Sequence, residues 1–492
     1  MNLSKSKYTK GVTCEKYLWL SCNKPNEAEE LSNEAILDNG KEVGELARSL
    51  FGDYSLIDYD LGFQGMIEKT NKELKNNTKV ICEASFNYDG NFCSVDILKN
   101  DSDGVELYEV KSSTGSKDIF IDDISYQTWV VKKCGLNVKK SCVVYINNEY
   151  VKNGELDLNE FFIIDDVTSN IDLDRVEENI NDLKNTLNSD KEPSIDLSIS
   201  CHKPYACPFF KYCTKNLPSP NVFDIGWSTR FSKKLEMYDR GHITYEDVID
   251  KEILNDKASN QVRTWLSNKN PEVNIDNIKE LMNILRYPLY FLDFESYQDA
   301  IPKIDGTKPY QQICFQYSLH YYLEEGGELL HKEFLSDDYY GNPMYGLCKQ
   351  LCEDIPMNSC VTAYNKAFEC TRLKEMSEMF PEFREHLLNI SENIIDLEIP
   401  FSNQDYYVKD MLGRSSIKVV LPALYPNDPT LDYHNLEQVH KGDEASKAYL
   451  SLKTLNKEDE EELRNNMLKY CKLDTYAMVK IYEKLKELIK VI

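Results

Sequence analysis

Residues 290–296 read YFLDFES, and the alternation in this run decides the fold of the C-terminal half. Successive side chains of a strand point to opposite faces, so Asp293 and Glu295 project together while Phe294 and its apolar neighbours point the other way. Two carboxylates thus project together. Downstream, residues 470–485 (YCKLDTYAMVKIYEKL) have helical periodicity, and Tyr470 and Asp474, four apart, share one helix face. Between them, VTAYNKAFECTRLKEM (361–376) reads as a strand entering a helix that presents Asn365 and Glu369.

Further strands are predicted at 313–324, 328–336 and 359–364, and helices after Asn342, after Lys366 and over 457–490. Upstream, SKKLEMYDRG and IKELMNILR make 221–286 a helical connector. Pro218 and Pro220 punctuate a boundary before it. The N-terminal segment has helices around Cys14, over 34–51 and over 122–134, with β-rich runs at 79–86, 91–98, 104–113 and 139–146. The expected class is α/β in three parts: 1–220, 221–286 and 287–492.

The chain has 492 residues, too many for a single hydrophobic core, and 41% of them are hydrophobic, enough for each part to fold. No apolar run approaches the roughly 20 residues that span a bilayer, and the opening MNLSKSKYTK lacks a signal peptide's apolar stretch. A cytoplasmic protein with no membrane partner is expected. Its 15 cysteines then read as metal ligands or buried thiols rather than disulfides. A net charge of −26 excludes a general electrostatic attraction to nucleic acid. It leaves room for an acidic site whose bound ions invert the local field toward phosphate.

Phosphodiester cleavage needs an activated water and compensation for charge on both the attacking and the leaving oxygen. Two divalent ions about 3.5–4 Å apart supply both, held by several carboxylate oxygens. Asp293, Glu295, Glu369 and Asp474 suit that task, with the Tyr470 hydroxyl orienting the water. Asp396, in NIIDLEIP, is either a further ligand or the cap of a strand. The alternative for the group as a whole is an edge-strand charge pair and a core tyrosine.

The ordered set DFE, YNKAFE and YCKLD resembles the three motifs of the DEDDy branch of DnaQ-like 3′→5′ exonucleases, which implies a ribonuclease H-like fold. Glu369 departs from the aspartate usual there. In the N-terminal part, Asp96 ends the run NFCSVDIL, and Glu109 and Lys111 lie two apart in GVELYEVKSS, followed by Gln127 on a helix. Asp96 and Glu109 can hold Mg²⁺ or Mn²⁺ while Lys111 steadies the water or the transition-state charge. A surface ion pair between Glu109 and Lys111 is the alternative. This pattern resembles the RecB-like PD-(D/E)XK nucleases, a restriction-endonuclease-like fold in which the glutamine positions substrate or lysine. A histidine common there is replaced by Gly44, and Glu83 is a candidate substitute ligand.

CHKPYACPFFKYC (201–213) spaces Cys201, Cys207 and Cys213 without a zinc-finger histidine pattern. The RecB-like resemblance supplies a fourth ligand, Cys14, and implies a four-iron four-sulfur cluster clamping the ends of the domain. Zinc, or buried thiols without a ligand, are the alternatives, and the remaining cysteines are expected in the core.

The whole chain resembles the bacterial family called domain of unknown function 2779, carried also by the segments 300–320 and 416–446. The combined expectation is a metal-dependent nuclease acting on nucleic acid, DNA favoured over RNA. Residues 309–320 are expected on the strand beside DFE, where Tyr310, Gln311 and Gln312 would flank the bound strand end, with a plain turn and strand as the alternative. Lys132, Lys133, Lys139 and Lys140 form either a basic patch or a solvated face. A binding or scaffolding protein with one or both sites inactive is the alternative, which Gly44 and Glu369 keep open.

Overall fold

The computed structural model describes residues 2–30, 34–227 and 229–490, with the side chains of 34–38 outside that description. It is a mixed α/β protein with two mixed sheets and many helices. Two compact units divide the chain: residues 1–217 with 299–310, and 218–298 with 311–492. Two features differ from the three parts expected. The helices of 221–286 group with the C-terminal unit, and the excursion 299–310 groups with the first. Ala300, Ile301 and Tyr310 of that excursion are apolar and pack with Val43, Ala47 and Phe161, and burying them there fixes its allegiance.

The first unit carries β1 (Leu3–Ser4), β2 (Ser55–Leu56), β3 (Val80–Tyr88), β4 (Asn91–Asp101), β5 (Gly104–Lys111), β6 (Val138–Ile146) and β7 (Phe162–Asp166). They pair in the order β2-β3-β4-β5-β6-β7, with β1 beside the start of β4. Alternation sends Ile81, Leu98, Val105 and Leu107 to one face, where Phe120, Ile124 and Val131 of the helix Asp118–Lys133 cover them. Val80, Cys82, Ile97 and Tyr108 go to the other face, against Val43 and Ala47 of the helix Glu34–Ala47.

The alternation inverts on β3 and β4 together. Ile81 shares its face with Ala84 and Phe86, and Leu98 with Cys93 and Val95. The inversion falls at Glu83 and Asp96, between the pairs Cys82–Ile97 and Ala84–Val95, and Glu83 has a positive φ of 58°. The pairing on either side keeps one register, so a local irregularity re-aims side chains without sliding the strands.

The second unit holds β8 (Leu289–Tyr297), β9 (Ile313–Tyr322), β10 (Leu330–Leu335), β11 (Cys360–Ala363) and β12 (Ile394–Asp396), in the order β10-β9-β8-β11-β12. β9 is antiparallel to β8 and β10, while β8, β11 and β12 run parallel. Leu289 and Phe291 pack on Met478, Val479 and Tyr482 of the long helix Lys457–Lys490. No helix among the described residues is long and apolar enough to cross a membrane.

Of 309–320, only 313 onward lie in β9; residues 309–310 form a turn before it, which is the alternative of a turn and strand. Tyr310 sits in the first unit, its hydroxyl donating to the Ser112 carbonyl, and Gln312 accepts from the Ser296 hydroxyl at 2.8 Å. Cys134 is exposed rather than in the core, because it follows the last turn of its helix. Cys82, Cys93 and Cys142 are buried as expected.

Candidate metal centre and associated sites

In the second unit the parity of β8 places the carboxylates. Leu289 and Phe291 meet the helix Lys457–Lys490 at residues 478–482, so Asp293 and Glu295, next on the same face, meet it earlier, at Cys471 and Asp474. Ligand atoms of Asp293, Glu295 and Cys471 all lie within 4.8 Å of one another. β11 runs parallel beside β8, and the helix after it (Ala367–Met379) brings Glu369 in its first turn to the same place.

Asp293 is half-buried, and Glu295, Glu369 and Asp474 are buried. Burial, then Asp474, Glu295 and Glu369, push the Asp293 carboxyl well above the usual range. Burial and Asp474 push Glu295 up as well, against Lys418. Burial raises Glu369 to about 8 and Asp474 to about 6. Burial thus raises all four carboxyl groups, and at Asp293 the other three add to it. The buried Oε2 of Glu369 has no hydrogen-bond partner. An unpartnered buried carboxylate oxygen beside a clustered donor set fits a divalent cation.

Tyr470 and two residues that the sequence reading missed surround this group. The Tyr433 hydroxyl donates to Asp474 Oδ1 at 2.7 Å, and Lys418 Nζ donates to the Tyr470 hydroxyl at 3.0 Å. The same ammonium lies 5.1 and 5.2 Å from the ring centroids of Tyr433 and Tyr470, in cation–π range. Asp396 caps a turn. Its carboxylate accepts the backbone N–H groups of Asn365, Lys366 and Glu398, and so fixes the turn in which Asn365 has a φ of 63°.

In the first unit, Asp96 lies within β4, not at its end, because the strand continues to Asp101. Its Oδ2 accepts the Val110 N–H at 2.7 Å. Glu109 and Lys111 face the helix Asp118–Lys133. Lys111 Nζ donates to Glu109 at 2.6 Å and to Asp123 at 2.7 Å, and Gln127 Nε2 donates to Glu109 at 2.6 Å. Lys5 and Asp123 were not foreseen. Lys5 Nζ donates to both oxygens of Glu109, at 2.9 and 3.1 Å, and lies 3.8 Å from Asp96.

Burial works to raise Glu109, yet Lys111 and Lys5 outweigh it and hold that carboxyl below its ordinary value. Burial and Glu109 raise Asp96 to about 7. Glu83 accepts from Tyr59 at 2.7 Å and pairs with Arg48 at 3.4 Å. Glu83, Asp96, Glu109 and Gly44 line one pocket of roughly 510 Å³. A Cβ on Gly44 would meet nothing within 4 Å, so that helix position faces open space. Of the four lysines read as a basic patch or a solvated face, Lys133 pairs with Glu177, and Lys139 with Asp101 and Asp103.

Cys14, Cys201, Cys207 and Cys213 line a single pocket. Cys14 occupies the break between the helices Lys5–Thr13 and Glu15–Asn23, which turns its thiol toward the C-terminal end of the unit. Trp19, Leu20, Phe209 and Tyr212 form a small apolar cluster around the cysteines. Burial and the neighbouring thiols raise Cys207 to about 11. Among the described residues no three of these sulfur atoms come within 4.8 Å of one another. The edge of a zinc–thiolate tetrahedron is about 3.8 Å for Zn–S bonds of about 2.3 Å.

The fold and sites define an α/β protein with a buried carboxylate–thiol group in its second unit. The family described as "Domain of unknown function (DUF2779)" matches residues 290–416, which contain Asp293, Glu295 and Glu369. Uncharacterized protein MG366 of Mycoplasma genitalium is 29% identical over 252 residues, covering 48% of this chain and 37% of that protein. Its homolog in Mycoplasma pneumoniae is 29% identical over 246 residues, 46% of this chain and 36% of that one. Uncharacterized protein UU173 of Ureaplasma parvum is 25% identical over 233 residues, 43% and 33% of the two chains. The match thus spans about a third of the length of these curated relatives. No solved structure matches.

Proposed function

We propose that this chain is a metal-dependent nuclease that hydrolyses phosphodiester bonds at Asp293, Glu295, Glu369 and Asp474, in a DnaQ-like 3′→5′ exonuclease site on a ribonuclease H-like sheet. The observation that carries the reading is the charge imbalance: four carboxyl groups crowd one desolvated space, with the Lys418 ammonium acting on Glu295 and Asp474. Such a cluster is stable in its charged form only with added cations. Mg²⁺ or Mn²⁺, when bound, activates water and neutralises charge on the reacting phosphate.

The chain's own residues then have distinct tasks. The four carboxylates hold the ions. Tyr433 fixes the orientation of Asp474 through its 2.7 Å hydrogen bond. Lys418 holds the Tyr470 hydroxyl, leaving that oxygen placed to hydrogen-bond and orient the attacking water. DNA is the favoured substrate, with RNA as the alternative. End-labelled single-stranded and duplex DNA and RNA, incubated with Mg²⁺ or Mn²⁺, test this. Mononucleotides released from 3′ ends by the wild type and not by Asp293→Ala are expected. Equal cleavage by Asp293→Ala would overturn the assignment.

The first unit is read as a RecB-like PD-(D/E)XK nuclease domain, with Asp96 and Glu109 as ligands, Lys111 beside the reacting water and Gln127 positioning Glu109. Its four cysteines, which line one pocket, hold a four-iron four-sulfur cluster, with zinc as the alternative. A second reading, that this unit binds nucleic acid without cutting it, is favoured by Lys5, whose ammonium engages the same two carboxylates. Lys111→Ala separates the two: loss of duplex cleavage with the second site disabled supports the nuclease, and unchanged cleavage supports the binding module.

A further inference from the structure

We propose that Cys471 is itself a metal ligand, making with Asp293 and Glu295 a mixed carboxylate–thiolate site that selects a thiophilic divalent ion over magnesium. The inference rests on the reading that the carboxylate group holds a divalent ion. It departs from the all-oxygen ligand set expected from the sequence.

Three observations carry it. Cys471 Sγ lies 3.8 Å from Asp293 Oδ2, and all three donors fall within 4.8 Å of one another. A tetrahedral ion with bonds of about 2.3 Å to sulfur and about 2.1 Å to oxygen places those atoms about 3.6 Å apart, so an ion fits between them with little adjustment. Second, Cys471 precedes Asp474 by three residues on one helix, and this spacing turns both side chains to the β8 face. Third, the thiol is fully buried and its hydrogen bonds go to the Asp293 carboxylate and carbonyl. The unpartnered Glu369 Oε2 is an independent sign that this space has room for a cation.

The thiolate is a soft donor that favours Zn²⁺ and Co²⁺, whereas Mg²⁺ favours oxygen. Coordination exchanges the S–H bond for a metal–sulfur bond and releases the proton to solvent, with no change of oxidation state.

The test is anaerobic titration of the full-length protein with Co²⁺, comparing wild type, Cys471→Ser and Asp293→Asn by absorbance. Cys14, Cys201, Cys207 and Cys213 contribute equally to all three and cancel in the difference spectra. A sulfur-to-cobalt charge-transfer band is expected in wild type minus Cys471→Ser, and the same band in wild type minus Asp293→Asn. Co²⁺ affinity at this site should fall by about 10- to 100-fold in Cys471→Ser, at least the loss typical of removing an outer-shell partner, while Mg²⁺ affinity changes little. Asp293-dependent Co²⁺ binding with identical spectra for wild type and Cys471→Ser would overturn the thiolate ligand and leave the carboxylate site standing. No Asp293-dependent binding of Co²⁺ or Mn²⁺ would overturn both. Circular dichroism checks the fold, and Cys471→Ala replaces the serine variant if that one unfolds.

Discussion

Glu369→Gln should stabilise the metal-free protein above neutral pH while it weakens metal binding and cleavage. Glu369 is 3% exposed, its Oε2 has no partner, and burial raises its carboxyl from 4.5 to about 8. A carboxyl raised in the folded state contributes stability that is fully present below its unfolded value, about 4.5, and is lost as the pH rises through about 8. At pH 7 the group lies roughly two and a half pH units above its unfolded value, and at about 1.4 kcal/mol per unit it costs about 3 kcal/mol. Glutamine has no proton to lose. The gap between variant and wild type should therefore widen from about 1 kcal/mol or less at pH 5 to about 3 kcal/mol at pH 7, and more at pH 8. Urea denaturation of chelator-treated protein at these pH values measures it, following the transition of the second unit. Mn²⁺ should then stabilise the wild type more than the variant, since binding to the folded state adds to its stability. Parallel pH slopes for the two proteins would refute the buried, ionisable state assigned to Glu369.

Tyr470→Phe keeps the ring over which Lys418 sits but removes the hydroxyl, and should slow cleavage by roughly 5- to 150-fold, far less than Asp293→Ala, in steady-state assays. Anaerobically purified protein should be brown and Cys207→Ser colourless. Colourless wild type carrying stoichiometric zinc would instead establish the zinc alternative. Gly44→Ala, in a helix and facing open space, should raise stability by about 0.5–1 kcal/mol in thermal or urea melts without disturbing the first unit's fold.

Where a side chain's partner lies within the same regular element, the sequence was legible. The two-residue period of β8 pairs Asp293 with Glu295, and the 3.6-residue period of the last long helix pairs Tyr470 with Asp474. Periodicity says less about which elements meet. Cys471 sits between recognised site residues, but an isolated cysteine in an apolar helix ordinarily reads as a small core residue. Its signal was available in the three-residue spacing to Asp474. Lys418 and Tyr433 come from 417–435, where a short helix containing Pro422 gives way to single turns, so no period relates them to the site. Glu83 and Asp96 were obscured for a different reason. Both strands invert their alternation there, and a strict two-residue period assigns the residues beyond it to the wrong face.

The two acidic groups differ most in how they are neutralised. In the first unit, Asp96, Glu109 and Asp123 meet two ammonium groups from the chain itself, Lys5 and Lys111, and Glu109 is held below its ordinary range despite full burial. In the second, Asp293, Glu295, Glu369 and Asp474 are all displaced upward, and Lys418 counters Glu295 and Asp474 without reversing either shift. A metal entering the first site must compete with Lys5 for Glu109, whereas one entering the second relieves repulsion that is already present. On the proposed reading, metal binding in the first unit requires displacement of Lys5 as well as loss of the proton from Asp96, whose carboxyl is raised to about 7, whereas in the second it requires proton release. Metal affinity at the second site should consequently fall steeply with acidification, as protons compete for carboxyls with values near 6 and 8.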